Sequence, residues 1–186
     1  MGIAARFDLD NLVASLLDAL NGSDPLLGVR DVLERLLRTP SAVQDALPAD
    51  HAELTPLYTS PELTVMKAVW SPSMALPPHN HEMWGAIGVY GGREVNEFYR
   101  RGEHGLEDVK ATEFDTGEVG LFGREAIHKV TNPLPRTYTG AIHVYGGDFL
   151  NEPRSVWLGE PPVEEPATGT TMQRFFVEAN EATGEQ

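Results

Sequence analysis

Two histidines one residue apart, His79 and His81, sit in PPHNHEMWGAIGVYGG (77–92), and a third, His128, follows a glycine-punctuated turn in GEVGLFGREAIHKVTN (117–132). Neutral imidazole is a ligand for first-row metals such as iron, nickel, copper and zinc, so residue type alone does not name the ion. Side chains two apart on a strand share a face, so His79 and His81 make a two-pronged clamp that His128 can complete. A His-x-His pair alone is more often an exposed or hydrogen-bonded pair; the third histidine is what turns the pattern toward metal binding. The chain has no cysteine, which excludes disulfides, zinc–thiolate sites and cysteine nucleophiles and leaves His, Asp and Glu as ligands. A further histidine, His143, stands two residues before Tyr145 in GAIHVYGGD (140–148), so both point to one side of a strand. The plainer reading of that pair is a hydrogen-bonded core contact. His51 and His104 carry no pattern, and His104 belongs to a polar turn, RRGEHG.

The two histidine stretches resemble the paired motifs of the cupin family. Gly117, His128 and Asn132 fall in register with the second motif, with Gly123 and Glu125 in place of its Pro and Gly. His79 and His81 match the first, but the positions of that motif's glutamate hold Gly85 and Ala86, and Glu82, next to His81, faces the other side of the sheet. Three histidines without a carboxylate resemble the cysteine dioxygenase and bacterial thiol dioxygenase branch. The late Ser-x-His-x-Tyr stretch of that branch matches at His143 and Tyr145, with Ala141 in place of Ser.

The resemblance implies a mainly β fold, the cupin double-stranded β-helix or jelly-roll barrel, preceded by a helical segment. It implies one Fe(II) per chain on His79, His81 and His128, with O2 as co-substrate, and oxidation of a small thiol to its sulfinate. Tyr145 and His143 are then catalytic: Tyr145 donates a hydrogen bond to dioxygen or to the substrate's carboxylate, and His143 orients it. Without cysteine, Tyr145 is an unmodified phenol, unlike the cysteine-linked tyrosine of animal members. Gly85 is expected to open the space that a glutamate would fill. The expected partner is a small molecule, a thiol carboxylic acid. No carboxylate-gripping arginine aligns in LYTSPELTV (57–65), where Ser60 stands near the expected position. Lys67, on the strand face of Val65 and Val69, and Arg124 are the remaining candidates for the substrate's far end. Two other readings stay open: a three-histidine metalloenzyme acting on a non-thiol substrate, and a metal-containing module that binds a small ligand without turnover.

Short strands must position these residues. From about residue 53 the sequence runs in alternating stretches broken by Pro and Gly, and strands are expected at 63–70, 83–90, 95–101, 109–114, 119–122, 127–131 and 138–145, with a hairpin turn at Gly91-Gly92. Upstream, Leu12, Val13, Leu16, Leu17 and Leu20 recur at helical spacing up to Asn21-Gly22. Asp24-Pro25 and Thr39-Pro40 read as starts of a second and a third helix. The acidic, proline-rich stretch 159–171 reads as irregular, and 172–177 as a last strand or packed tail. The expected organisation is a single cupin domain over 1–186, with a helical cover at 1–50, a barrel at 53–158 and an acidic tail at 159–186.

Acidic residues outnumber basic ones by 28 to 14, a formal charge of −14. Such a surface repels phosphate backbones, so nucleic acid is not an expected partner. No run approaches the roughly 18 apolar residues needed to span a bilayer, and MGIAARFDLD lacks the apolar core of a signal peptide. The expectation is a cytoplasmic monomer or homodimer, with no membrane partner.

Overall fold

The computed structural model describes residues 6–184; residues 1–5, the start of the segment read for a signal peptide, lie outside the described residues. The first two upstream helices form as their caps dictate. Asp8 accepts the amide N–H of Asn11 to start α1 (Leu9–Leu20), and Asp24 accepts that of Leu27 to start α2 (Pro25–Leu36), with Pro25 in the first turn. A short α3 (Pro40–Ala46) follows. Leu12, Leu16, Val29 and Leu33 form a stripe that buries against Val65, Ala86, Ile142 and Val144 on the outer face of a sheet.

The strands are β1 (Glu53–Thr59), β2 (Thr64–Trp70), β3 (His79–Asn80), β4 (Gly85–Gly91), β5 (Arg93–Gly102), β6 (Gly105–Asp115), β7 (Val119–Phe122), β8 (Ile127–Thr131), β9 (Thr139–Tyr145), β10 (Ser155–Leu158) and β11 (Val163–Pro166). They form a five-stranded sheet, β1-β2-β9-β4-β7, and a six-stranded one, β11-β10-β3-β8-β5-β6. The antiparallel pairings are nested: β5 with β6, β4 with β7, β3 with β8, β2 with β9. A chain folded back at the β5–β6 hairpin and then wound up gives this order, which is a double-stranded β-helix. At the corner between β4 and β5, Gly92 sits at φ +80, a conformation that favours glycine, directly against Thr139.

Three expectations change here. Gly91-Gly92 is a corner and not a hairpin turn, because β4 and β5 belong to different sheets. The pair His79 and His81 does not lie on one continuous strand: β3 ends at Asn80, and His81 to Trp84 form a bend in which Glu82 adopts φ 56. The segment read as irregular followed by a strand or packed tail contains β11, which pairs with β10 just before it, and a helix, α4 (Gly169–Thr183). Thr168 caps α4 by accepting the amide of Thr171 at 3.0 Å. Met172, Phe175, Phe176 and Ala179 recur at helical spacing and pack on Trp70, Leu76 and Val130, so tertiary burial selects helix over the local β-forming run. Among the described residues no helix is long and apolar enough to cross a membrane.

Two contacts hold α4 against the barrel. Phe176, 6% exposed, lies 5.6 Å from the Trp70 ring, and the Asn180 side chain exchanges two hydrogen bonds with the backbone of Ala52, at 2.7 and 2.9 Å. Phe176→Ala is expected to lower the unfolding free energy by about 3 kcal/mol, the scale for emptying a buried phenylalanine site. Denaturant titration checks it; an unchanged midpoint means that α4 is not docked.

Candidate metal centre

Register brings the histidines together. His79 on β3 is the cross-strand partner of His128 on β8, and the bend after β3 turns His81 back over both. The ring centroids stand 5.0 Å (His79–His81), 4.7 Å (His79–His128) and 4.9 Å (His81–His128) apart, with the rings no more than 6% exposed. One nitrogen from each lies within 4.8 Å of the others.

For His79 and His128 the outward nitrogens set the tautomers, whereas His81 Nδ1 is buried with no hydrogen-bond partner among the described residues. His79 Nδ1 donates to the Pro77 carbonyl at 3.0 Å, and His128 Nδ1 donates to Asn96 Oδ1 at 2.6 Å. Each donation leaves an Nε2 lone pair for the centre. Nε2 of His81 and Nε2 of His128 face each other at 3.4 Å. Burial pushes the His79 ring down to about 4, and burial followed by mutual repulsion holds His81 and His128 well below the usual histidine range. Three neutral imidazoles converging in a buried site suit a divalent cation, so the residues present fit a metal ion.

The histidines and the nested strand order together decide the architecture. The barrel is a cupin fold. The chain is similar in structure to BH2720 of Bacillus halodurans (17% identity, 56% of this chain and 77% of that one, TM-score 0.48). It is similar also to an RmlC-like cupin family protein of Methanocaldococcus jannaschii (10%, 55% and 85%, 0.45) and to a cupin superfamily protein of Desulfitobacterium hafniense (9%, 57% and 88%, 0.45). No family model matches the chain.

No carboxylate belongs to the histidine cluster among the described residues. Glu82 instead accepts the Asn80 amide at 2.6 Å. Gly85 does not open space, because the Phe122 ring occupies the place a side chain there would take, and it lies 5.4 Å from His81 and 5.1 Å from His128. His143 and Tyr145 do come together beside the cluster: His143 Nδ1 lies 3.0 Å from the Tyr145 hydroxyl, and the Tyr145 ring lies 4.7 Å from His81. Burial pushes the Tyr145 phenol above its usual range, so it stays protonated.

Neither proposed cation reaches the site. Lys67 alternates away from Met66, onto the sheet face of its cross-strand partner Ile142, and its ammonium pairs with Glu53. Arg124 is exposed on the β7–β8 turn. Ser60 closes a local turn with Leu63. The cation at the site is Arg154, which lines a cavity of about 740 Å³ with the three histidines, Tyr145 and Phe176. Its guanidinium lies 3.8 Å over the Phe149 ring, and its Nε is buried with no hydrogen-bond partner among the described residues. Glu94 and Asn96 were missed as well; their signal was the alternation Glu94, Asn96, Phe98, which puts two polar side chains on one inward strand face.

The depressed imidazoles set a pH dependence. In the metal-free protein the unfolded chain takes up protons below the ordinary histidine value of 6.5, whereas folded His79 does so only near 4. Stability is therefore expected to fall as pH drops from 6.5 toward 4, and to be insensitive to this group above 6.5. Denaturant midpoints across that range check the sign, and His79→Ala should flatten the slope.

Proposed function

We propose that the chain is a mononuclear non-haem Fe(II) dioxygenase that oxidises a small thiol carboxylic acid to its sulfinate. The observation that carries this reading is a three-histidine cluster free of carboxylates, sharing one cavity with the half-buried Arg154, whose Nε has no hydrogen-bond partner among the described residues. An all-imidazole site leaves an iron ion its full charge, which favours an anionic thiolate ligand. When bound, Fe(II) supplies the redox chemistry by which both atoms of O2 are added to a thiolate sulfur, with no external reductant.

The chain's own residues bind and orient. Burying a carboxylate without a partner is costly, and in a protein of net charge −14 the local positive charge must be built in. Arg154 supplies it, partly desolvated and with its buried Nε free, and its charge acts on His79, His81 and Tyr145. Met66, Trp70 and Phe149 give the cavity apolar walls for a short alkyl chain. The His143–Tyr145 pair flanks the reacting end.

Oxygen uptake by anaerobically iron-loaded protein, assayed against thiols with and without a carboxylate, tests the reading. Uptake is expected with carboxylate-bearing thiols, and Arg154→Gln should lower kcat/KM by about 10- to 100-fold through loss of a charge-assisted hydrogen bond. Tyr145→Phe should keep its iron and lose rate over roughly the same range. Iron-loaded protein that consumes no oxygen with any thiol would point to a non-thiol substrate or to a ligand-binding module.

A further inference from the structure

A carboxylate with 0% exposure, Glu94, lies inside the barrel one residue, Asn96, removed from the histidine cluster. Its Oε1 accepts the Asn96 amide at 2.9 Å; its Oε2 accepts Trp70 Nε1–H at 2.8 Å and faces His143 Nε2 at 3.4 Å. Burial raises its carboxyl pKa, but the neighbouring His143, Asn96 and Trp70 outweigh burial and hold it below the ordinary value. An ionised carboxylate can only accept, so every group pointing at it must donate.

We infer that Glu94 is the positioning residue that fixes which ring nitrogens carry protons at both ends of the site, on the metal ligand His128 and on His143. On one side Glu94 takes the Asn96 NH2, so Asn96 must turn its oxygen to His128. That oxygen requires Nδ1–H on His128 and leaves Nε2 as the lone pair facing His81. On the other side Glu94 takes Nε2–H of His143, so in the neutral ring Nδ1 accepts the Tyr145 O–H. Toward the cavity the phenol then offers an oxygen acceptor, in place of the donor that the sequence resemblance implies. A residue that touches neither metal nor substrate thereby sets both. The inference rests on reading the three histidines as a metal centre; it is independent of the substrate.

The network makes an unusual demand on Glu94→Gln. Trp70 Nε1–H donates only, so the new amide oxygen must stay on that side and its NH2 must face Asn96. Asn96 then has to flip and present its own NH2 to His128, which reverses the His128 tautomer and places a proton on the nitrogen that would ligate. Adding Asn96→Asp reverses the demand, because the carboxylate it introduces accepts both from the new amide on β5 and from His128.

Ring ¹⁵N shifts of the metal-free full chain, together with Zn(II) affinity by chelator competition, test this. Wild type is expected to show Nδ1–H at His128 and Nε2–H at His143. Glu94→Gln should move the His128 proton to Nε2 and weaken Zn(II) binding by about 10- to 100-fold, the usual scale for losing a hydrogen bond behind a ligand. The double variant Glu94→Gln with Asn96→Asp should restore both. Nε2–H at His128 in the wild type, an unmoved proton in Glu94→Gln, or a double variant as weak as the single would overturn the inference. Wild-type protein that binds no Zn(II) while showing these tautomers would sink the metal reading and leave the role of Glu94 standing.

Discussion

Nε2 of His81 and Nε2 of His128 face each other at 3.4 Å with both residues buried, and the surrounding structure is arranged around that proximity. Lone pairs at this separation repel unless a proton or a cation lies between them. A second proton is opposed, because a charged imidazole pays heavy desolvation there; neutral His81 can relieve the contact with its own proton on Nε2, but it then has no lone pair left for the centre. Removing the repulsion by rotating His128 is opposed too, since its other nitrogen is committed to Asn96. A divalent cation satisfies all three rings at once. The barrel supplies the rigidity: His79 and His128 are direct cross-strand partners, so their separation is set by sheet geometry and not by loop conformation.

Charge inside the barrel is as sparse as it is outside plentiful. Among the described residues, the histidine side of the barrel carries a fully buried carboxylate, Glu94, and a half-buried guanidinium, Arg154, each with a distinct task. Glu94 is fully satisfied by donors from three residues, which is how a buried charge is tolerated, and its effect travels through proton positions. Arg154 lacks such satisfaction: aromatic stacking on Phe149 orients it while Nε stays without a partner. A buried, unsatisfied donor on a permanent cation is the mark of a group built to receive an anion. Apolar rings between these groups, Phe122 and Phe98 against His128 and Phe149 against Tyr145, keep the dielectric low enough for both effects to matter.

Much of this was legible in the sequence, for identifiable reasons. Alternation located β2, β5, β7, β8 and β9 nearly to the residue, and helical periodicity ending at Asn21-Gly22 and the Asp24-Pro25 cap signal located α1 and α2, because all are local patterns. The histidines were legible from their spacing, although the strand assumed for the His79–His81 clamp proved to be a bend. What stayed hidden depends on long-range packing. Helix α4 forms where 172–177 looks like a strand because its partners, Trp70 and Val130, are far off in sequence. Alternation with Val65 and Val69 suggests an inward-facing Lys67, but both sides of β2 are buried and only the pairing with β9 says which side the histidines occupy. Arg154 precedes a short strand whose approach to β3 rests on a single register pair, Val156 with His79, and nothing local announces it.

The most direct measurement is an iron-edge anomalous difference map from a crystal of protein loaded with Fe(II) under anaerobic conditions. One peak per chain is expected, about 2.0–2.2 Å from the inward nitrogens of His79, His81 and His128, with no carboxylate oxygen in the coordination shell. A peak ligated by Glu82 or Glu94, or iron bound only at the acidic surface, would contradict a three-histidine centre.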